Sequence, residues 1–136
     1  GRSKDEVLLG DANLFAAGAA LTGIARGAYR NKAAAEIHGS GYVVQSLEAA
    51  LWAFDRTHSF ADAILMAANL GDDADTTAAV CGQLAGAFYG VSAIPAHWLE
   101  RLALRSEITK LADQLRFRTL WVRESMEENP PRADCR

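Results

Sequence analysis

Cysteine is scarce in this chain of 136 residues: Cys81 and Cys135 are the only two, and they form neither a disulfide framework nor a metal-ligand spacing. That scarcity points to a reducing, cytoplasmic setting. Long apolar runs are missing too. Residues 14–25 and 78–89 are the longest, both too short and too rich in Gly and Ala to span a bilayer, and no signal-peptide pattern is visible. No membrane partner is expected. Positive charge is limited, with 14 Lys and Arg against 17 Asp and Glu for a net charge of -3, and the cations are scattered rather than striped. Nucleic acid is therefore excluded as a partner. The alternation of a half-buried strand is absent, whereas apolar residues recur at spacings of three and four, so an all-α fold is expected. A chain this long, 50% hydrophobic, suits one domain over residues 1–136 built as a compact orthogonal helical bundle, with 127–136 a loose tail. It opens at Gly1 without an initiator Met, which reads as a processed, trimmed or partial chain.

Local signals divide the chain into about six helices, an estimate from its periodic segments. Ser3 and Glu6 have capping-box spacing before a short helix that Gly10 closes. Residues 14–29 carry Leu14, Phe15, Leu21, Ile24 and Ala28 on one stripe, interrupted by Gly18, Gly23 and Gly27. A polar stretch and the glycine-flanked turn 38–42 lead into a helix over 43–54, with Val43, Leu47, Ala50, Leu51 and Phe54 on one face. Ser59 and Asp62 start the next helix, whose face is Phe60, Ile64, Leu65 and Ala68, and Gly71 ends it. Residues 76–89 follow, with Gly82, Gly86 and Gly90 four apart on one side as a close-packing strip. Pro95 separates a helix over 96–104, and Ser106 caps a last helix over 107–126 bearing Ile108, Leu111, Leu115 and Leu120.

The feature most charged with chemistry is the run 69–77, Asn-Leu-Gly-Asp-Asp-Ala-Asp-Thr-Thr, read as a loop that opens a helix of small residues. Like charges this close are relieved by protonation, by positive neighbours or by a metal. No Lys or Arg occurs between Arg56 and Arg101, so a positive partner would have to fold in from elsewhere. Asp73 and Asp75 can aim both carboxylates at one locus, and Thr76 adds a hydroxyl oxygen. Oxygen ligands suit hard cations such as Mg²⁺, Mn²⁺ or Ca²⁺, and the absence of nearby His or Cys disfavours zinc. An EF-hand is excluded, because with Asp73 as its first position the glycine would be Ala78 and the closing glutamate Leu84. The alternative reading is that Asp75 or Thr76 merely caps the helix while the other acids stand in solvent near its positive end, each gaining about 0.3–1 kcal/mol. Residue types alone leave both readings open.

Three blocks carry a resemblance: residues 41–54, beginning Gly41-Tyr42-Val43-Val44 and ending Leu51-Trp52-Ala53-Phe54; residues 68–80, around Gly71-Asp72-Asp73-Ala74-Asp75-Thr76-Thr77; and residues 82–90. Together they resemble the ADP-ribosylglycohydrolase family, in the branch that includes dinitrogenase reductase-activating glycohydrolases. The resemblance implies an all-α fold and a two-metal centre of Mg²⁺ or Mn²⁺ that removes ADP-ribose from a modified protein side chain or a small molecule. It implies that Asp73, Asp75 and Thr76 are metal ligands, with Asp75 bridging two ions, and that Ser40, Gly41 and Tyr42 form the turn lying against ADP-ribose. Such relatives also carry a Thr-Asp-Asp ligand run near the start of the full domain, and no such triplet occurs here. The chain thus corresponds to the carboxyl-terminal part of the family domain, and a separate amino-terminal segment is an expected partner. A catalytically silent module that binds ADP-ribose or serves structurally is the alternative.

Remaining chemistry-bearing residues read more plainly. His38 is an exposed turn histidine with phosphate contact as its alternative, while His58 and His97 lie at helix starts. Tyr42 is placed either to stack on a nucleotide or to act as a hydrophobic staple. Trp52, Trp98 and Trp121 read as packing residues, and Cys81 as a small buried hydrophobe.

Overall fold

The computed structural model describes residues 3–8 and 19–128, and among them every regular element is helical. The helices are α1 (Lys4–Leu8), α2 (Ala19–Ala25), α3 (Val43–Arg56), α4 (Phe60–Ala68), α5 (Ala74–Tyr89), α6 (Ala96–Arg101) and α7 (Arg105–Glu128). Short 3₁₀ turns occupy Ala28–Asn31, Ala34–Glu36 and Val91–Ala93. The chain divides into two compact units, residues 1–95 and 96–136.

In the first unit, α3, α4 and α5 pack on one another and the 3₁₀ turn at Ala28–Asn31 lies on α3. Small residues make this closeness possible. Ala49, Ala50 and Ala53 of α3, Ala63 and Ala67 of α4, and Cys81 and Ala85 of α5 are all buried. A Cβ built on Gly82 would lie 3.4 Å from Ile64 Cδ1, and one on Gly86 would lie 3.9 Å from Phe60 Cε2. The glycine strip therefore faces α4 over two of its three members. Gly90 departs from it: its φ of 80° ends α5, and no atom lies near its missing Cβ. The Cys81 thiol donates to the Ala63 carbonyl at 3.5 Å, and burial pushes its pKa up to about 11.

Helix starts follow the expected chemistry where they are described. Ser3 N–H donates to Glu6 Oε2 at 2.7 Å and Glu6 N–H to Ser3 Oγ at 3.3 Å, a reciprocal capping box. Ser59 Oγ accepts from the Asp62 amide at 3.0 Å and donates to its carboxylate at 2.7 Å. Gly10 and residues 14–18 lie outside the described residues. The expected helix to residue 29 breaks early, because Gly27 turns to φ 75° and the chain tightens into the 3₁₀ turn.

Two expected core positions are exposed instead, Val43 at 72% and Leu65 at 50%. On α3 the buried stripe runs through Ser46, Ala49, Ala50, Ala53 and Phe54, rotated from the apolar face read in the sequence. Ser46 can occupy it because its hydroxyl donates to the Ser40 carbonyl at 2.5 Å. On α4 the interior side is set by Phe60, Ala63 and Ala67, which turns Leu65 outward.

The C-terminus of α3 is closed by a side chain from α1. Lys4 Nζ donates to the carbonyls of Phe54 and Thr57 and stands 4.2 Å from the Phe54 ring centroid. Around it, Phe54, Phe88 and Tyr89 meet edge to face at centroid distances of 5.0–6.1 Å. Arg30 pairs with Asp5 at 2.7 Å and Asp55 at 3.1 Å. Trp52, 5% exposed, donates its indole N–H to the Lys32 carbonyl at 2.9 Å. Arg56 donates to the Arg30 and Lys32 carbonyls at 3.1 and 2.8 Å, and Lys32 pairs with Glu48 at 2.7 Å.

In the second unit, α6 stops at Arg101, short of residue 104, because Leu104 adopts φ 56° before α7 begins at Arg105. Ser106 lies inside the first turn of α7, where its hydroxyl donates to the Glu107 carboxylate at 2.7 Å instead of capping. The helix continues to Glu128, past the expected boundary at 126. Residues 129–136 of the expected tail lie outside the described residues, as does the side chain of Trp121.

Candidate metal centre and substrate turn

The acidic run is held at the junction of α4 and α5 by two consecutive left-handed residues, Gly71 at φ 80° and Asp72 at φ 52°. Glycine takes this conformation freely, and aspartate is among the few side chains that tolerate it. Helix α5 begins at Ala74, so Asp75 and Thr76 lie in its first turn and not in a loop, as the sequence reading had them.

Asp73 is the residue preceding the helix, yet its carboxylate makes no capping hydrogen bond. It reaches the Asp75 side chain instead. That contact comes first, and the Thr76 amide donating to Asp75 Oδ1 at 2.8 Å second, in holding the Asp75 carboxyl below its usual range. Capping by Asp75 or Thr76 is therefore not what this turn does. Two carboxylates converge at an exposed locus with a threonine beside them, and among the described residues no Lys or Arg makes an ion pair with either acid. Such an oxygen-only pair fits a hard divalent cation as a partial shell. No cluster of three or more His, Cys, Asp or Glu side chains suited to a metal exists among the described residues, so other groups must complete the coordination.

The turn 38–42 is tied directly to this corner. The Asp73 amide donates to the Gly39 carbonyl at 2.8 Å, and a Cβ on Gly41 would sit 3.4 Å from Asp73 Oδ2. Ser40 Oγ bonds Gln45 Oε1 and accepts from the Tyr42 amide at 3.2 Å. Tyr42 is 60% exposed, which discards the hydrophobic-staple reading and leaves its ring presented to solvent. Beside it lies a cleft of about 360 Å³ whose walls include Gly23, Ala28, Gln45 and Glu48. His38, His58 and His97 are all exposed. Sequence reasoning missed Gly39 and Thr77, the two residues that join the turn to α5. The available signal for Thr77 was its place one turn after Asp73, on the inner side of α5, where it is fully buried.

Helices that build a cation-suited corner from a Gly-Asp-Asp-x-Asp-Thr-Thr turn, with a glycine-rich turn against it, define an ADP-ribosylglycohydrolase fold. The chain belongs to the ADP-ribosylglycohydrolase family, whose model matches residues 5–127. It is 56% identical over 89 residues to an ADP-ribosylarginine hydrolase Tri1 of Serratia proteamaculans (strain 568), covering 65% of this chain and 24% of that protein. A Pseudomonas putida (strain GB-1) protein of the same name matches equally, 56% over 89 residues with the same coverage. An ADP-ribosyl-[dinitrogen reductase] glycohydrolase of Rhodospirillum rubrum is 41% identical over 68 residues, covering 50% of this chain and 23% of that protein. A solved structure described as an ADP-ribosylglycohydrolase-related protein complex superposes with a TM-score of 0.66 at 46% identity, covering 71% of this chain and 33% of that one. The chain thus spans about a quarter of the length of the curated relatives it matches. Among the described residues, no helix is long and apolar enough to cross a membrane.

Proposed function

We propose that this chain is the carboxyl-terminal part of a domain that hydrolyses an ADP-ribosyl linkage, releasing ADP-ribose from a modified protein side chain or a small molecule. The observation that carries this reading is the meeting of the Asp73 and Asp75 carboxylates in the first turn of α5, directly against the turn holding Ser40, Gly41 and Tyr42. Family membership and the relatives' names support it.

In this reading Asp73, Asp75 and Thr76 hold Mg²⁺ or Mn²⁺ as half of a two-metal centre, and upstream groups outside residues 1–136 complete it. When bound, such ions orient ribose hydroxyls and lower the pKa of water, the two needs of cleavage at an anomeric carbon. The chain's own residues bind and orient. The Ser40, Gly41 and Tyr42 turn supports the diphosphate and ribose, the small residue at 41 lets a ligand approach Asp73, and the Tyr42 ring with its adjoining cleft receives a planar group. A reducing, cytoplasmic setting agrees with Cys81 standing as a free, buried thiol.

A second reading, a silent module that binds ADP-ribose or serves structurally, is favoured by one observation: two converging carboxylates, and no third acid or imidazole, form the described locus. Release of ADP-ribose from ADP-ribosylated arginine, measured by chromatography with and without Mn²⁺ and with an upstream family segment supplied, separates the two. Metal-dependent release that vanishes in Asp73→Asn and Asp75→Asn supports the hydrolase. Binding of ADP-ribose without turnover in any combination establishes the silent module.

A further inference from the structure

We infer that Thr77 and Gly39 are a positioning pair that couples the cation locus to the nucleotide turn. A divalent cation at Asp73, Asp75 and Thr76 then tightens binding of a nucleoside diphosphate sugar at Ser40, Gly41 and Tyr42, and the nucleotide tightens the cation. The inference deepens the proposed function and rests on it.

Three hydrogen bonds close a ring among Gly39, Asp73 and Thr77. The Asp73 amide donates to the Gly39 carbonyl at 2.8 Å, and the Thr77 amide donates to the Asp73 carbonyl at 3.0 Å. The Thr77 hydroxyl returns to the same Gly39 carbonyl at 3.4 Å. Thr77 is fully buried, so its hydroxyl has no water to exchange for that acceptor. The joint is also sterically closed. A Cβ on Gly39 would lie 2.9 Å from Thr77 Oγ1 and 3.3 Å from the Gly71 carbonyl, and the latter is backbone that cannot swing away.

The far side of the turn is pinned as well, by the Ser46 hydroxyl donating to the Ser40 carbonyl at 2.5 Å. Held at both ends, the turn cannot move relative to the first turn of α5 without breaking buried hydrogen bonds. The Gly41 backbone abuts Asp73 Oδ2, so any change in how that carboxylate sits is felt by the turn. Two sites joined through such an element are linked reciprocally: each ligand alters the other's affinity by the same factor.

Isothermal titration of the 136-residue chain with MnCl₂ and with ADP-ribose, each alone and then in the presence of the other, tests this. The wild-type dissociation constant for ADP-ribose is expected to fall about tenfold at saturating Mn²⁺, with the same factor for Mn²⁺ at saturating ADP-ribose. In Thr77→Val, which keeps shape and removes the hydroxyl, both ligands still bind but the mutual effect drops below about twofold. Thr77→Ser, which keeps the hydroxyl, retains it. Gly39→Ala weakens ADP-ribose binding, and Gly39→Ala/Thr77→Ala recovers part of the loss because removing Oγ1 opens the space. Circular dichroism of each variant reports that the helices persist. Wild-type chain that binds both ligands independently overturns the coupling and leaves the proposed function standing. Unchanged coupling in Thr77→Val overturns the role given to Thr77, and binding of neither ligand overturns the proposed function together with this inference.

Discussion

The Lys4 ammonium stands 4.2 Å above the Phe54 ring while donating to the carbonyls of Phe54 and Thr57. One side chain from the first helix thus closes the end of α3 and faces the aromatic cluster at the end of α5. A cation at a helix C-terminus and a cation over an aromatic face each stabilise by about 0.5–2 kcal/mol. Lys4→Met, which keeps the apolar stem, is expected to lower stability by about 1–2 kcal/mol in urea denaturation. A change within experimental error would show that α1 contributes nothing to holding the α3 terminus.

The carboxylate pair makes the opposite forecast for stability. Asp73 and Asp75 meet without any compensating cation among the described residues, so neutralising one removes repulsion. Asp73→Asn is expected to leave stability within about 0.5 kcal/mol of wild type, as for most exposed substitutions, or to raise it, while Mn²⁺ binding is lost. Marked destabilisation would make Asp73 a structural residue.

Glycines in α5 and around it should separate by role. Gly86 is helical, with ordinary contact distance to Phe60 at the position of an added Cβ, so Gly86→Ala is expected to stabilise by about 0.5–1 kcal/mol. Gly90 lies at φ 80°, and Gly90→Ala should cost about 1 kcal/mol despite empty space around it. Thermal midpoints of the two variants moving in the same direction would contradict this assignment.

The buried Cys81 thiol forecasts alkaline sensitivity. Its pKa is pushed up to about 11 from an ordinary value of 9.0, so the folded chain retains a proton that the unfolded chain releases. The stabilisation is complete below about pH 9 and is lost as pH rises through about 11, amounting to about 2–3 kcal/mol. Denaturant midpoints measured from pH 8 to 11 should fall with a shallower slope in Cys81→Ala. Parallel slopes would place the alkaline loss elsewhere.

Much of the helical plan was legible because caps and glycines act locally: Ser3 with Glu6, Ser59 with Asp62, and the stop at Gly71 all appear as the spacing indicates. The converging acids were legible for the same reason, being near neighbours in the chain. What escaped depended on partners distant in sequence. Ser46 is buried because the Ser40 carbonyl needs its hydroxyl, and the α3 face rotates accordingly. Thr77 gained its place from a glycine carbonyl 38 residues away, which no periodicity announces. The start of α5 was misplaced because an aspartate run looks like loop until Asp73 is seen to precede the helix without capping it.

The link between α2 and α3 hangs from Trp52 and Arg56 by the main-chain carbonyls of Arg30 and Lys32. Since every peptide unit offers the same acceptor, the path of that link does not depend on which side chain residue 32 bears. Exchanging Lys32 forfeits its pairing with Glu48 yet preserves the suspension, so this stretch can be re-tailored chemically while the route of the chain stays put.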